Sequence, residues 1–517
     1  MPVNNNSTEQ KTVVNYEIGQ DNVRFLGLDF HHVVFPVSAA LVVAFVAGTL
    51  IFLDTAGVAF ANLKVWITTK FDWTFMISMN VFVLFCIYIA VSKLGRVRLG
   101  GPDAKPRYGY AGWLAMLFAA GVGIGLMFFG VLEPVTHSLH PPLGIDPEDT
   151  AAATAAGMSA AIAHWGLHAW GVYALVGLAL AFFCFNRGLP LTMRSAFYPL
   201  FGKAVWGPLG HVIDVTAVLA TIFGLATSLG LGAEQMAGGL NYLFGISPTG
   251  TTKVVLVTGI ISIALVSVVT GLDRGVKLLS EINMVLAGVL VLFVIIAGPT
   301  LILLKTFVTA TVDYLYYLPR LSNWIGREDT AFYHDWSTFY WAWWVSWSPF
   351  VGMFIARISY GRTAREFVIW VLLIPTVIGI IWMSTFGGTA LQQLLVDGYR
   401  GVADSAPELA LFKMLEGLPF TEFVSAAGLV LIAIFFVTSA DSGSLVVDMI
   451  TAGGKMDAPV RQRVFWCVLV GLVAIVLLLG GGVASLQALA ISVGLPFCFV
   501  LLLMCVSLYK GLREEST

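Results

Sequence analysis

The stretch Trp341-Ala-Trp-Trp-Val-Ser-Trp-Ser-Pro-Phe350 places four tryptophans within seven residues of one apolar run. If this stretch is helical, Trp343 and Trp347 share a face at i and i+4, and Trp344 lies beside them. Indole faces are negative and a methylated ammonium is always charged, so the pattern predicts an aromatic cage for a quaternary ammonium group. The alternative is an interfacial aromatic belt, which is the commoner reason for tryptophan near a membrane.

The composition around this stretch is that of a membrane protein. Of 517 residues, 58% are hydrophobic and only 11% are charged, whereas soluble domains carry roughly 25% charged residues. The net charge of −2 leaves no basic surface for phosphates, which argues against nucleic acid as a partner. All five cysteines lie inside apolar runs, which predicts buried thiols rather than a disulfide framework.

Apolar runs of about 20 residues can cross the hydrocarbon core of a bilayer. Twelve such runs occur, at roughly 33–54, 71–92, 109–131, 152–184, 209–244, 254–271, 279–304, 336–358, 366–391, 421–449, 463–482 and 485–509. The sequence therefore predicts an all-α polytopic membrane protein with 12 transmembrane helices.

Basic residues mark one side of this predicted bundle. Lysine and arginine are concentrated in alternate loops, at 93–107, 185–208, 272–278, 357–365 and 455–463. Because basic loops stay in the cytoplasm, both termini are expected to be cytoplasmic as well. The longest outer connection, 305–335, mixes apolar and polar positions as a helix lying along the interface would.

Glycines interrupt the third span. Gly121, Gly123 and Gly125 alternate at membrane depth, and glycine costs about 1 kcal/mol in a helix interior relative to alanine. One interpretation is an unwound segment whose backbone groups face a ligand. The other is close helix packing, for which the small-xxx-small spacing of Gly121 and Gly125 suffices.

Two further spans carry polar or aromatic clusters. The fourth span contains Trp165, Trp170 and Tyr173 as additional candidates for the cage. The tenth contains Thr438 and Ser439, whose hydroxyls suit a hard cation such as sodium. The alternative for these hydroxyls is a bond back to the helix carbonyl four residues earlier.

These segments together resemble the betaine/carnitine/choline transporter family over nearly the whole chain. The matching segments appear in the family's order: the glycine run 121–130 ending in Glu133-Pro134, the segment 164–173, the motif 271–277, and the tryptophan stretch followed by 357–365. The resemblance implies a secondary transporter of the bacterial cytoplasmic membrane, built from leucine-transporter-like inverted five-helix repeats after two extra helices, and typically a homotrimer.

On this resemblance the chain divides into six segments. They are a cytoplasmic tail (1–30), two additional transmembrane helices (31–107), a first five-helix repeat (108–304), an outer interfacial helix (305–335), a second five-helix repeat (336–509) and a short cytoplasmic tail (510–517).

The resemblance also assigns residues to the substrate and to sodium. The aromatic binding region would be formed by Trp165, Trp170, Tyr173, Trp343, Trp344 and Trp347, with Gly121, Gly123 and Gly125 beside it and Trp341 along the substrate path. One sodium ion would be held by the carbonyls of Ala119, Val122 and Phe435 and the hydroxyls of Thr438 and Ser439. A second would involve Ser346 and Phe350 with a fifth-span hydroxyl, Thr221 or Thr227.

Two sequence patterns of the resembling family bear on the substrate and on the coupling ion. An aspartate at the position of Gly125 goes with choline, so glycine there resembles the glycine betaine pattern, with carnitine or dimethylsulfoniopropionate next. Sodium-independent exchangers carry an arginine in the fifth span, and 209–244 has no arginine or lysine. Sodium symport is therefore expected, and the alternatives are a proton-coupled choline transporter or a sodium-independent exchanger.

Two other classes of function fit the sequence less well. A channel would line a continuous pore with charged or amide rings, and the spans show almost none. An enzyme would need a metal-ligand spacing or a nucleophile motif beside His164 and His168, and neither is evident. No cofactor other than the coupling ions is expected.

Overall fold

The computed structural model describes residues 16–516 except Val122, Gly271 and Leu272. The helices, in chain order, are α1 (Val34–Ile51), α2 (Leu53–Val91), α3 (Tyr110–Gly121), α4 (Ile124–Leu139), α5 (Thr150–Trp165), α6 (Leu167–Phe185), α7 (Tyr198–Phe201), α8 (Pro208–Phe244), α9 (Gly250–Thr270), α10 (Asp273–Ala297), α11 (Thr300–Leu321), α12 (Thr330–Phe332), α13 (Thr338–Ile358), α14 (Ala364–Leu395), α15 (Ala410–Glu416), α16 (Thr421–Thr451), α17 (Val460–Leu479) and α18 (Val483–Ser516).

The predicted fold class is confirmed. In the part of the chain that the structure describes, eleven helices are long and apolar enough to cross a membrane, with α5 and α6 counted as one. Ten of them coincide with predicted spans, and the eleventh is α11, which the sequence had assigned to the outer interface. The two remaining predicted spans are the third, which is divided into α3 and α4, and the eighth, which is α13. The number twelve therefore stays a prediction.

The glycine run ends one helix and precedes another. Helix α3 ends at Gly121, and α4 begins at Ile124 after Gly123 in an extended conformation. The third span thus consists of two separate helices, as the interpretation of a helix break at these glycines expects, and Val122 between them lies outside the described residues. Carbonyls in the first turn of α4 accept from other helices, since the Trp382 indole donates to Leu126 (3.1 Å) and the Gln235 amide to Met127 (2.8 Å).

Helix α13 lies at the centre of the bundle. It packs against α6, α8 and α18, and nearly all of its side chains are buried. Helices α9, α10 and α11 lie outside this centre and expose most of their apolar side chains, as lipid-facing helices do. The tryptophan stretch is therefore held in the protein interior and not in an interfacial belt.

A small hairpin precedes the first span. Strands β1 (Asn22–Phe25) and β2 (Leu28–His31) pair antiparallel around Leu26 and Gly27, both at positive φ, as a two-residue type I′ turn requires. Lys455 bonds to the Asp29 carboxylate at 2.7 Å and anchors the hairpin to the loop before α17. The last third of the predicted tail is therefore folded, and this feature was not predicted.

Candidate functional site

Aromatic rings from α4, α5 and α13 meet in the protein interior and form what we call the aromatic cluster: Phe129, Trp165, Tyr340, Trp343 and Trp344. The Trp165 ring stands edge-on to Trp344 at 4.8 Å and to Trp343 at 6.2 Å. The Trp343 and Trp344 rings are stacked at 4.9 Å. Phe129 lies 5.4 Å from Tyr340 and 6.2 Å from Trp343.

Backbone carbonyls fix the indoles of α13 by accepting from their N–H groups. Trp344 donates to the carbonyl of His164 at 2.7 Å, and Trp343 and Trp347 both donate to the carbonyl of Gly224, at 3.3 and 2.7 Å. A buried indole whose polar edge is satisfied can offer its face to a ligand. In this structure the Trp343 face lies against Trp344 and Phe339, and the Trp344 face lies against Trp343 and Tyr340, so a cation bound by these faces would have to separate the rings.

The other predicted aromatic residues are placed differently. Tyr173 lies 6.3 Å from Trp344, and Trp170 lies 5.2 Å from Tyr173, so both stand behind the cluster on α6. Trp347 is half-buried and stands edge-on to Phe350 at 5.0 Å. The structure thus brings together Trp165, Trp343 and Trp344 and places Trp347 on the neighbouring side of α13, toward α8.

Trp341 belongs to a separate location. Its indole N–H lies 2.8 Å from the sulfur of Met76, and its ring is 5.6 Å from His168. A small cavity lined by Trp341, His164, His168 and Ser337 lies beside it. Trp341 therefore lines a cavity outside the aromatic cluster, and its place along the substrate path stays a prediction.

Gly125 lies directly against the cluster. A Cβ atom at this position would lie 2.3 Å from the Trp165 ring and 3.0 Å from the Trp343 ring. Gly121 and Gly123 instead flank the break in the third span. The close approach at Gly125 agrees with the packing interpretation at that position, and whether backbone groups near Gly121 and Gly123 face a ligand stays a prediction.

The predicted sodium ligands lie partly outside the described residues, because Val122 is one of them. Ala119 lies in the last turns of α3. Helix α16 is continuous through Phe435, Thr438 and Ser439, and the Thr438 hydroxyl bonds back to the carbonyls of Ile434 (2.9 Å) and Phe435 (3.2 Å). Thr438 therefore makes the bond to its own helix that the alternative predicted, while its oxygen keeps lone pairs that could accept a cation, since only its hydrogen is donated.

Hydroxyls at the predicted second site collect at the junction of α8, α13 and α18. Ser346 donates to the carbonyl of Ala490 (3.3 Å), and Thr227 lies within bonding distance of the carbonyls of Phe223 on its own helix (2.8 Å) and of Leu486 on α18 (3.2 Å). Thr221 bonds back to Ala217 at 2.7 Å. The oxygens of Ser346 and Thr227 and the α18 carbonyls fit a hard cation, and Thr227 is placed better for this role than Thr221.

Glu133 was not predicted as a site residue, although it lies in the Glu133-Pro134 motif. It is fully buried on α4 beside the cluster. Its carboxylate, His137 and His164 place three possible ligand atoms within 4.8 Å of one another, an arrangement that could hold a divalent metal ion. The available signal was a lone carboxylate inside an apolar segment, which is expensive unless it has a purpose.

Comparison with known proteins finds one family of transporters and several similar members of it. A model of the betaine/carnitine/choline family of transporters matches residues 33–517. A glycine betaine/proline/choline transporter of Vibrio parahaemolyticus is 55% identical over 97% of this chain and 94% of its own length. A glycine betaine transporter of the same species is 50% identical over 97% of both chains. A glycine betaine transporter of Acinetobacter baylyi is 46% identical over 94% of this chain and 74% of its own length.

Proposed function

The chain belongs to the betaine/carnitine/choline transporter family, and on that premise we propose that it imports glycine betaine by sodium symport with alternating access. The resemblance inferred from the sequence is thereby confirmed, as is the prediction of a transporter rather than an enzyme. The proposal concerns the substrate, the coupling ion and the transport cycle.

The aromatic cluster is the observation that carries the proposal. Its rings come from three helices, are buried within the bundle, and have their indole N–H groups bonded. A trimethylammonium group cannot donate hydrogen bonds, so aromatic faces suit it better than carboxylates or carbonyls do. Glycine betaine carries such a group, and so does choline, which is the second candidate.

Two observations favour the zwitterion over choline. Gly125 adds no acidic side chain to the cluster beyond the hydrogen-bonded Glu133, and an unpaired carboxylate at Gly125 would repel the carboxylate of betaine. The three relatives described above are all named for glycine betaine, and one of them also for choline. Carnitine and dimethylsulfoniopropionate follow betaine as candidates.

Sodium coupling is supported by the oxygen atoms around α16 and around the junction of α8, α13 and α18. Side-chain hydroxyls and helix carbonyls are hard ligands of the kind that sodium prefers. The fifth span, α8, has no arginine or lysine that could replace an ion at membrane depth. Proton coupling is the competing proposal, and sodium-free buffer distinguishes the two.

The oligomeric state and the membrane orientation that we propose are those that the resemblance to the family implies. We propose a homotrimer in the bacterial cytoplasmic membrane with both termini in the cytoplasm, the latter supported by the basic alternate loops. Light scattering of the detergent-solubilised protein measures the oligomeric state directly. A monomeric mass would contradict the trimer and leave the proposed transport activity intact.

The decisive experiment is uptake of radiolabelled glycine betaine into proteoliposomes with and without an inward sodium gradient. We expect accumulation above the external concentration only with the gradient. Equilibration without accumulation would indicate a channel, and equal uptake in sodium-free buffer with a proton gradient would contradict sodium coupling. An excess of unlabelled choline should compete more weakly than unlabelled betaine.

A further inference from the structure

The carboxylate of Glu133 lies behind the rings of the aromatic cluster and bonds to two of them. One of its oxygens accepts from the Trp165 indole N–H at 2.7 Å and from the Tyr340 hydroxyl at 2.5 Å. These two residues come from α5 and α13, whereas Glu133 belongs to α4. One buried side chain therefore fixes rings from two other helices.

The second carboxylate oxygen faces two histidines. It lies 2.6 Å from Nδ1 of His164 and 3.2 Å from Nε2 of His137. The other nitrogen of His164 lies 3.0 Å from the Ser337 hydroxyl, which can donate to it. Both histidines can thus donate to Glu133 while neutral, and an ionised carboxylate has acceptor sites for all four donors. If Glu133 were protonated, its own O–H hydrogen would point toward one of these four donors, and that hydrogen bond would be lost.

An ionised Glu133 affects the rings in two ways. Hydrogen bonds to a charged acceptor are shorter and about twice as strong as neutral ones, so they hold the Trp165 and Tyr340 rings in place. The charge also lies at the polar edge of these rings, in a medium where electrostatic effects are much larger than in water. It makes the ring faces more negative without itself contacting the ligand.

We propose that Glu133 is the positioning residue of the cage, and that its charge sets the preference between a net cation and a zwitterion. The proposal rests on the proposed function, because it assumes that the aromatic cluster binds a trimethylammonium group. Choline carries a net positive charge, whereas the carboxylate of betaine offsets part of the attraction. The negative charge of Glu133 therefore favours choline more than betaine, and losing it should shift selectivity toward betaine.

The test compares Glu133→Gln with Glu133→Ala, using tryptophan-fluorescence titrations with betaine and with choline. Glutamine keeps the size and one acceptor oxygen but removes the charge. We expect Glu133→Gln to weaken choline binding about tenfold and betaine binding about threefold. Glu133→Ala should weaken both more than tenfold, because Trp165 and Tyr340 then lose their acceptor.

A double-mutant cycle identifies the hydrogen bond that carries the effect. Trp165→Phe keeps an aromatic face and removes the N–H that Glu133 accepts, so Glu133→Gln should have a smaller effect in that background. Glu234→Gln is the matched control, since Glu234 is also a buried glutamate but bonds to Lys253 at 2.8 Å. It should leave the choline-to-betaine ratio unchanged.

The following outcomes would overturn either the role of Glu133 or the proposed function. Equal losses for choline and betaine in Glu133→Gln, or full additivity with Trp165→Phe, would overturn the role assigned to Glu133 while the parent still binds betaine. If Glu133→Gln does not fold, Trp165→Phe alone must weaken choline more than betaine, and the opposite order overturns the proposal. A parent protein that binds neither compound overturns the proposed function itself.

Discussion

Gly224 is the residue on which two tryptophans of α13 converge. Its carbonyl accepts from Trp343 and Trp347, and a Cβ atom at Gly224 would lie 2.8 Å from the Trp347 ring and 3.1 Å from Ser346. The lack of a side chain in α8 therefore lets α13 approach closely enough for both indoles to bond. Ring orientation on α13 is thus set by the backbone of a neighbouring helix.

We expect Trp343→Ala, inside the aromatic cluster, to weaken betaine binding by about 1–2 kcal/mol, the range for a desolvated cation–π contact. Trp343→Phe should retain part of the binding, because it keeps a ring and loses only the bond to Gly224. Trp66→Ala, at an exposed position on α2, serves as the control. Fluorescence titration measures all three, and unchanged binding in Trp343→Ala would place the cage elsewhere.

At Gly125 the structure adds a steric requirement to the question of substrate preference. Because a Cβ atom there would lie 2.3 Å from the Trp165 ring, Gly125→Ala should already displace that ring and weaken betaine binding by about 1–3 kcal/mol, as overpacking does. Gly125→Asp should weaken betaine further and admit choline. The measurement is a competition assay with both substrates, and a parent that takes up choline faster than betaine would contradict this role for Gly125.

At the scale of elements, the break between α3 and α4 and the unbroken α16 have different consequences. The break frees backbone groups at a fixed place, whereas α16 offers oxygens only from side chains and from carbonyls that its own helix already uses. The Thr438 oxygen could bind an ion through its lone pairs while its hydrogen stays on the carbonyls of its own helix.

Removing both hydroxyls in Thr438→Ala/Ser439→Ala should raise the sodium concentration for half-maximal uptake by about thirtyfold, since each of the two lost ligand bonds is worth roughly 1 kcal/mol. Betaine binding at saturating sodium should change little, because the aromatic cluster is untouched. Uptake at a series of sodium concentrations gives the result. Thr421→Ala, at the outer start of the same helix, is the control, and equal sodium dependence in the double variant and the parent would contradict the site.

The hairpin before α1 should respond to acid through His31. This ring is buried against the Arg194 guanidinium at 3.1 Å, with His32 and His211 within 5.0 Å. Burial, and then the positive charge of Arg194, lowers the pKa of His31 to about 3 from its ordinary 6.5. The folded state therefore binds fewer protons than the unfolded chain, and stability should fall as the pH drops below about 6.5.

Thermal unfolding in detergent between pH 7 and pH 4 measures this effect. We expect the unfolding temperature of the parent to fall with pH more steeply than that of His31→Gln, which has no group to protonate there. His140→Gln, in the outer loop, should follow the parent. Parallel curves for His31→Gln and the parent would show that His31 does not titrate on unfolding.

At the scale of the whole molecule, the distribution of lysine and arginine among the loops predicts the orientation in the membrane. The basic loops and the hairpin lie on the side predicted to be cytoplasmic, and the native cysteines give little background for labelling, since four are buried and Cys184 is partly buried. The exposed positions Asp103 and Asp146 lie in loops on opposite predicted sides.

A membrane-impermeant maleimide should therefore label Asp146→Cys in intact cells and Asp103→Cys only after permeabilisation. The reason is that Asp103 lies in a loop rich in lysine and arginine, which is retained in the cytoplasm. Gel-shift detection of the label is sufficient. Labelling of Asp103→Cys in intact cells would invert the proposed orientation.

Local patterns explain what could be predicted from the sequence. Span positions, the break after Gly121 and the tryptophans of α13 depend on residues close in the chain, so hydropathy and spacing reveal them. Glu133 and Tyr340 are 207 positions apart, and only the folded bundle, in which side chains from α4 and α13 reach the same cluster, brings them together. The same reason explains why Phe129 was missed, and why Trp347 was grouped with rings that it does not contact.

Two predicted spans, the third and the eighth, least resemble ordinary membrane-spanning helices, and both carry residues of the aromatic cluster. The third consists of two short helices, and α13 falls outside the eleven helices apolar enough to cross a membrane unaided. A segment leaving the translocon partitions according to its own hydrophobicity, so α13 depends on earlier segments such as α6, against which it packs, to be retained in the bilayer. Membrane insertion favours apolar residues in α13, whereas substrate binding requires its aromatic and polar residues. Substitutions that make α13 more polar should therefore impair membrane insertion before they weaken substrate binding.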